Sequence, residues 1–120
     1  MILNITQHNA TPDQKKAGVV DLAEEDRKIV SDLLTFDTVP TIEEMARRAT
    51  KLADVCKRYG AKRAMIGGAP FFMSTLETIL ESRGIKPCYA FSKRVVVEET
   101  QEDGSVVKKN IFRHEGFVEL

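Results

Sequence analysis

Ile2 to Gln7 alternates weakly between apolar and polar positions, is rich in β-compatible side chains and stops at polar ones, which predicts a short first strand. Thr11-Pro12-Asp13-Gln14 then supplies an N-cap, a proline at the first helical position and a glutamine three residues on, the parts of a capping box. A short helix is expected from Pro12 to Ala17, ended by Gly18. Asp21 with Glu24 repeats the capping pattern, and Leu22, Ile29, Val30, Leu33 and Leu34 place one apolar stripe on a helix ending near Thr35. Thr41 and Glu44 form a third capping box. Ile42, Met45, Ala46, Ala49, Leu52, Ala53 and Cys56 follow at helical spacing, predicting a helix over residues 41–59 that Gly60 stops.

Ala61 to Ile66 reads as a second strand, cut off by Gly67-Gly68. Pro70 then opens a helix whose buried face is Phe72, Leu76, Ile79 and Leu80, and which ends at Gly84. Ile85 to Phe91 supplies a third strand, so the segment is a βαβ unit with a parallel crossover. The pattern changes after that. Lys93 to Glu99 and Val106 to Phe112 flank Asp103-Gly104, the signal for a hairpin with a two-residue turn. If Glu102 faces Ser105, Glu99 faces Lys108, Glu98 faces Lys109, Val96 faces Ile111 and Val95 faces Phe112. The same register sets Arg94 against Arg113 and Lys93 against His114, cationic neighbours that call for an anion or for solvent between them. A terminal apolar run at Phe117-Val118 suggests one further short strand.

The expected fold is α/β: a three-layer, Rossmann-like domain spanning residues 1–120. Strands near 2–7, 62–67 and 86–92 form its parallel core, and residues 93–113 form an antiparallel ribbon. A length of 120 residues suits one core and no more. Eighteen basic and eighteen acidic residues cancel, so no overall positive field exists to hold duplex DNA or an anionic membrane non-specifically, and any anion site must be local. The longest uncharged stretch begins at Ala64 and runs to Glu77, interrupted by two glycines and a proline, far short of the roughly 20 apolar residues of a membrane span. Nothing at the N-terminus has the form of a secretion signal, so a cytoplasmic location is expected. Cys56 and Cys88 lack CxxC spacing and read as reduced packing residues.

Candidate chemistry follows from the fold. In an open parallel sheet, ligands bind beyond the carboxyl ends of the strands. Three such ends carry Thr6-Gln7-His8, Gly67-Gly68 before a helix N-terminus, and Ser92-Lys93-Arg94, with Arg113 and His114 joined to the last by the hairpin register. Hydroxyls, amides, an imidazole and cationic heads suit a phosphate-bearing ligand. Each group also has a plainer reading. Gly67-Gly68 has neither GxGxxG nor GKS/T and serves equally as a tight strand-to-helix turn. His8 and His114 are each more often structural hydrogen-bonding groups than acids or bases. Lys93, Arg94 and Arg113 can be a solvated edge that discourages aggregation. Ser92 lacks a triad, so no catalytic residue is assigned. Two histidines and scattered carboxylates have no metal spacing, and neither a metal nor a cofactor is expected.

The opening Leu3-Asn4-Ile5-Thr6-Gln7-His8, with Ala10-Thr11, Gln14 and Gly18-Val19-Val20-Asp21, and the ending Phe112-Arg113-His114-Glu115-Gly116-Phe117-Val118 resemble a family of small uncharacterised bacterial and prophage proteins. That resemblance covers most of the chain and implies no activity. The short first strand, the Gly-Gly turn and the parallel core are similar, at the level of fold, to CARF-type proteins of CRISPR defence. Some of those bind or cleave cyclic oligoadenylates as dimers, and the likeness specifies no residue here. Two functions are therefore carried forward. One is binding of a nucleotide, a cyclic oligonucleotide or another small anion. The other is a non-enzymatic interaction module, of the phage-accessory kind, using the ribbon and helix 41–59. A homodimer is expected because the hairpin's Val95, Val97, Val106 and Ile111 lie on a two-stranded ribbon that is marginal alone in water.

Overall fold

Five strands form a single mixed sheet in the order β2-β1-β3-β4-β5, described over residues 1–120 in a computed structural model. In chain order the elements are β1 (Ile2–Asn4), α1 (Pro12–Lys16), β2 (Val19–Asp21), α2 (Glu24–Leu34), α3 (Ile42–Arg58), β3 (Arg63–Met65), α4 (Pro70–Ser82), β4 (Lys86–Thr100) and β5 (Val106–Glu119). The first four strands run parallel, and β5 returns antiparallel beside β4.

Local signals fix most helix ends. Thr11 and Gln14 form the capping box of α1: the Gln14 amide donates to Thr11 Oγ1, and the Thr11 amide donates to Gln14 Oε1. Thr41 caps α3 by accepting from the Glu44 amide, but the reciprocal half expected there is absent. Glu44 turns instead to Arg48 at 3.1 Å. Arg48 also donates to the carbonyls of Asp32, Leu33 and Thr35 and lies 4.4 Å over the Phe36 ring. It therefore satisfies the orphaned carbonyls at the end of α2 and pins the connection into α3.

Asp21 is a correction. It does not cap α2, whose N-cap is Ala23 with no side-chain bond. Val19–Asp21 forms β2, the edge strand, paired with β1 from Ile2↔Val19 to Asn4↔Asp21. Two valines after a left-handed glycine (Gly18, φ +103°) favour extended backbone, and the open edge of β1 gives them a partner.

Strand alternation divides the core. Leu3, Ala64 and Ile66 face α2, α3 and α4 and join Leu52, Phe72, Leu76 and Leu80 in the main cluster. Ile2, Val19, Met65 and Cys88 point to the other side, where Ala10 and Phe117 complete a smaller cluster. The helix next in the chain to Ala10, α1, has five residues, none of them buried. Four helices and a mostly parallel five-stranded sheet make this a mixed α/β protein. Both cysteines are free and buried, and burial pushes the Cys56 thiol up to about 12.

The ribbon departs most from expectation. The third core strand and the first ribbon strand are one continuous β4, and the Phe117-Val118 run is the base of β5 rather than a separate strand. The turn has three residues. The Gly104 amide donates to the Gln101 carbonyl and the Gln101 amide to the Ser105 carbonyl, with Gly104 left-handed at φ +83°. A two-residue type I′ turn would need Asp103 left-handed too, and no non-glycine residue here has positive φ. Asp103 instead accepts from the Ser105 amide and hydroxyl. The register therefore shifts by one from that expected: Glu98 faces Lys108, Val97 faces Lys109, Val95 faces Ile111, Arg94 faces Phe112, Lys93 faces Arg113 and Ser92 faces His114. Glu99 faces Val107 and meets Lys109 diagonally at 3.3 Å. Arg94 and Arg113, expected as an opposed pair, project to opposite faces. A bulge between Phe91 and Ser92 changes the pairing again below that point, so that Phe91 faces Gly116.

Candidate functional site

The chain leaving β1 turns sharply over the end of the sheet, and a buried asparagine holds that turn. Asn4, 4% exposed, donates from Nδ2 to the His8 carbonyl (2.7 Å) and to Asp21 Oδ1 (2.8 Å). Its Oδ1 accepts from the Thr6 amide (3.0 Å) and hydroxyl (2.7 Å). Asp21 Oδ1 also accepts from the Ala10 amide. Burial opposes ionisation of Asp21, but the bonds from Asn4 and Ala10, with Lys15 and Arg27 nearby, hold its carboxyl below the usual value. Asn4 and Asp21 escaped sequence reasoning. The available signal was a lone amide inside an apolar run, because a buried amide must be satisfied.

This turn forms one wall of a cleft of about 390 Å³ at the carboxyl ends of β1 and β3, beside Tyr89 and Ala90 of β4. Thr6, Gln7, His8 and Asn9 line one side, Ile66, Gly67 and Gly68 the other, and Tyr89 and Ala90 the third, with Thr11 and Gln14 at the rim. Five of the expected residues therefore meet: Thr6, Gln7, His8, Gly67 and Gly68. Gln7 is largely committed elsewhere, since its amide donates to Thr35 Oγ1 (2.9 Å) and the Ser31 carbonyl on α2. Thr6 is tied to Asn4. The His8 and Asn9 side chains make no hydrogen bond within the protein and are exposed at the mouth. Tyr89 is half-buried and donates to Glu77; burial first, and Glu77 second, raise its phenol.

The floor at Gly67-Gly68-Ala69 leads into α4. Pro70 sits at the first helical position, and Ala69 provides no side-chain cap. The amides of Gly67, Gly68, Ala69 and Phe71 have no protein acceptor, so four donors stand together at the positive end of a 13-residue helix. Gly68 adopts φ +151°, where a Cβ would press on the Met73 side chain. Gly67 has ordinary backbone, and a Cβ there would touch Thr6 Cγ2 across the cleft at 3.6 Å.

Ser92, Lys93, Arg94, Arg113 and His114 do not line the cleft. The continuous β4 carries the first three into the ribbon, and the shifted register separates Arg94 from Arg113. His114 packs edge-on against Phe117, ring centres 5.0 Å apart, with its Nδ1 unpartnered. The cations near the cleft come from α2 instead. Thr6 and Gln7 also border a crevice lined by Glu24, Arg27, Lys28 and Ser31, and neither Arg27 nor Lys28 is in an ion pair. They were missed because only the fold brings the first turns of α2 beside the end of β1.

Geometry thus defines an α/β sheet protein with a neutral, donor-rich cleft at its strand ends. The chain belongs to the Uncharacterized protein MJ1673 family, whose model matches residues 1–118. No curated protein and no solved structure matches it. No helix is long and apolar enough to cross a membrane.

Proposed function

We propose that the cleft binds a small phosphate-bearing ligand, a nucleotide or cyclic oligonucleotide in the first instance. The carrying observation is its position. In strand order 2-1-3-4, β1 and β3 are the neighbours from which the chain departs in opposite directions, and the cleft opens above their carboxyl ends, where ligands collect in open α/β sheets. Phosphate oxygens would accept from the amides of Gly67, Gly68 and Ala69. His8 and Asn9 offer hydrogen bonds to the rest of the ligand, and Arg27 and Lys28 supply positive charge from the adjoining crevice. The Rossmann-like and CARF-like comparisons belong to this reading and choose one probe, a cyclic oligoadenylate. The ribbon's exposed valines favour a second reading, an interaction module.

A thermal-shift series with inorganic phosphate, mono- and dinucleotides and a cyclic oligoadenylate separates the two. A probe at a hundred times its dissociation constant stabilises the fold by roughly 2.7 kcal/mol, a shift of several degrees. Gly67→Ala, which the backbone accepts, is expected to keep the unliganded midpoint and remove the shift. No shift with any probe defeats the ligand reading and leaves the interaction module.

A further inference from the structure

The ribbon is patterned along its length as well as across it. By strand alternation one face carries, from base to turn, Lys93 opposite Arg113, Val95 opposite Ile111, Val97 opposite Lys109, and Glu99 opposite Val107. Lys93 and Arg113 are directly opposed cations, an unfavourable pairing, and neither has an acidic partner in the chain. At the far end the turn carries Glu102 and Asp103, neither of them in an ion pair, next to Glu99, which is held by Lys109. Between the two ends lie Val95, Val97 and Ile111, none of them buried, with Lys109 opposite Val97 and neutralised by its ion pair with Glu99. No helix covers this strip. The radius of gyration, 17.2 Å, exceeds the roughly 14 Å of a compact 120-residue chain because the ribbon extends beyond the body.

We infer that this face is a two-fold interface with a second copy of the chain, two ribbons lying antiparallel with the base of each against the turn of the other. A strip that is cationic at one end, aliphatic in the middle and acidic at the other complements itself only when reversed, and a two-fold axis makes each such contact twice. Lys93 and Arg113 of one copy then meet the acidic turn of the other, while the aliphatic strips cover one another. A parallel arrangement would set cation on cation. The inference is independent of the cleft and of what it binds.

Charge reversal tests the arrangement itself. The native chain is expected to sediment at twice 13.5 kDa at micromolar concentrations. Lys93→Glu/Arg113→Glu and Glu99→Lys/Glu102→Lys, all exposed positions, should each weaken self-association about tenfold or more, with unchanged far-ultraviolet dichroism. Mixing the two variants should restore the dimer, since each then presents the other's complement at both contacts. A monomeric native chain overturns the proposal. So does a dimer indifferent to both reversals, or a mixture that fails to associate. Loss of phosphate binding in the base-reversed variant of a monomeric chain would assign the two cations to a solute anion instead.

Discussion

The body and the ribbon both carry valines and isoleucines, yet all 25 buried residues lie at or before Cys88 and none in the ribbon. In the body, three helices lie on one sheet face, so Leu3, Ala64 and Phe72 close a common core. In the ribbon, β4 beyond the bulge, from Ser92 to Thr100, and its partners in β5, from Val106 to His114, pair only with each other. Hydrophobic residues alone do not make a core. A second layer does, because apolar burial depends on the surface that a neighbouring element removes from water.

The largest effect expected from this contrast is Phe72→Ala. Phe72 is fully buried, with its ring 5.3 Å from Phe36, and truncation should cost about 3–5 kcal/mol in denaturant unfolding. Val96→Ala, at a position 61% exposed, should change stability by no more than about 0.5 kcal/mol. Equal costs would break the comparison. Next, Asn4→Ala should lose about 2–3 kcal/mol, because it removes the four part-buried hydrogen bonds that hold the turn forming the cleft. Asn4→Asp, which keeps the acceptor, should be milder only where the carboxylate escapes Asp21.

A smaller effect concerns the ribbon alone. Gly104→Ala places an L side chain at φ +83° and should cost about 1–2 kcal/mol locally. Hydrogen exchange should show faster exchange in ribbon amides such as those of Val97 and Val107, with the strands of the body unaffected. Acceleration across β1 and β3 would show that ribbon and body unfold together. Smallest at neutral pH is Asp21→Asn. The folded carboxyl is held below its ordinary value, so its stabilisation is present above that ordinary value and is lost as pH falls through the folded pKa. The variant should be the less acid-sensitive of the two chains, and parallel acid-unfolding curves would remove Asp21 from the account.

Elements with short-range causes were legible. The proline and capping box of α1, the cap of α3, Pro70 after Gly67-Gly68 and the glycine stops at Gly60 and Gly84 each act within about four residues of chain, and the structure has them where the pattern places them. Half of the site was legible for the same reason, since a strand end is where a run of apolar residues meets polar ones, as at Thr6-Gln7-His8.

Asp21 and the ribbon cations show what local pattern could not decide. A cap and an edge strand both suit Asp21, and the choice went to the strand because Asn4, seventeen residues away, needed an acceptor across the sheet. In the ribbon, Asp103-Gly104 determined that the chain reverses, but whether the turn holds two residues or three depended on Asp103 avoiding left-handed backbone and bonding Ser105 instead. That single residue moved every pair from Thr100 down to the bulge at Ser92 and placed Arg94 and Arg113 on opposite faces. The sequence by itself thus determined the elements and their order, through interactions spanning a turn of chain. Register, the helix that brings Arg27 and Lys28 beside the cleft and the face left bare were decided in three dimensions, where groups far apart in sequence compete for the same partners.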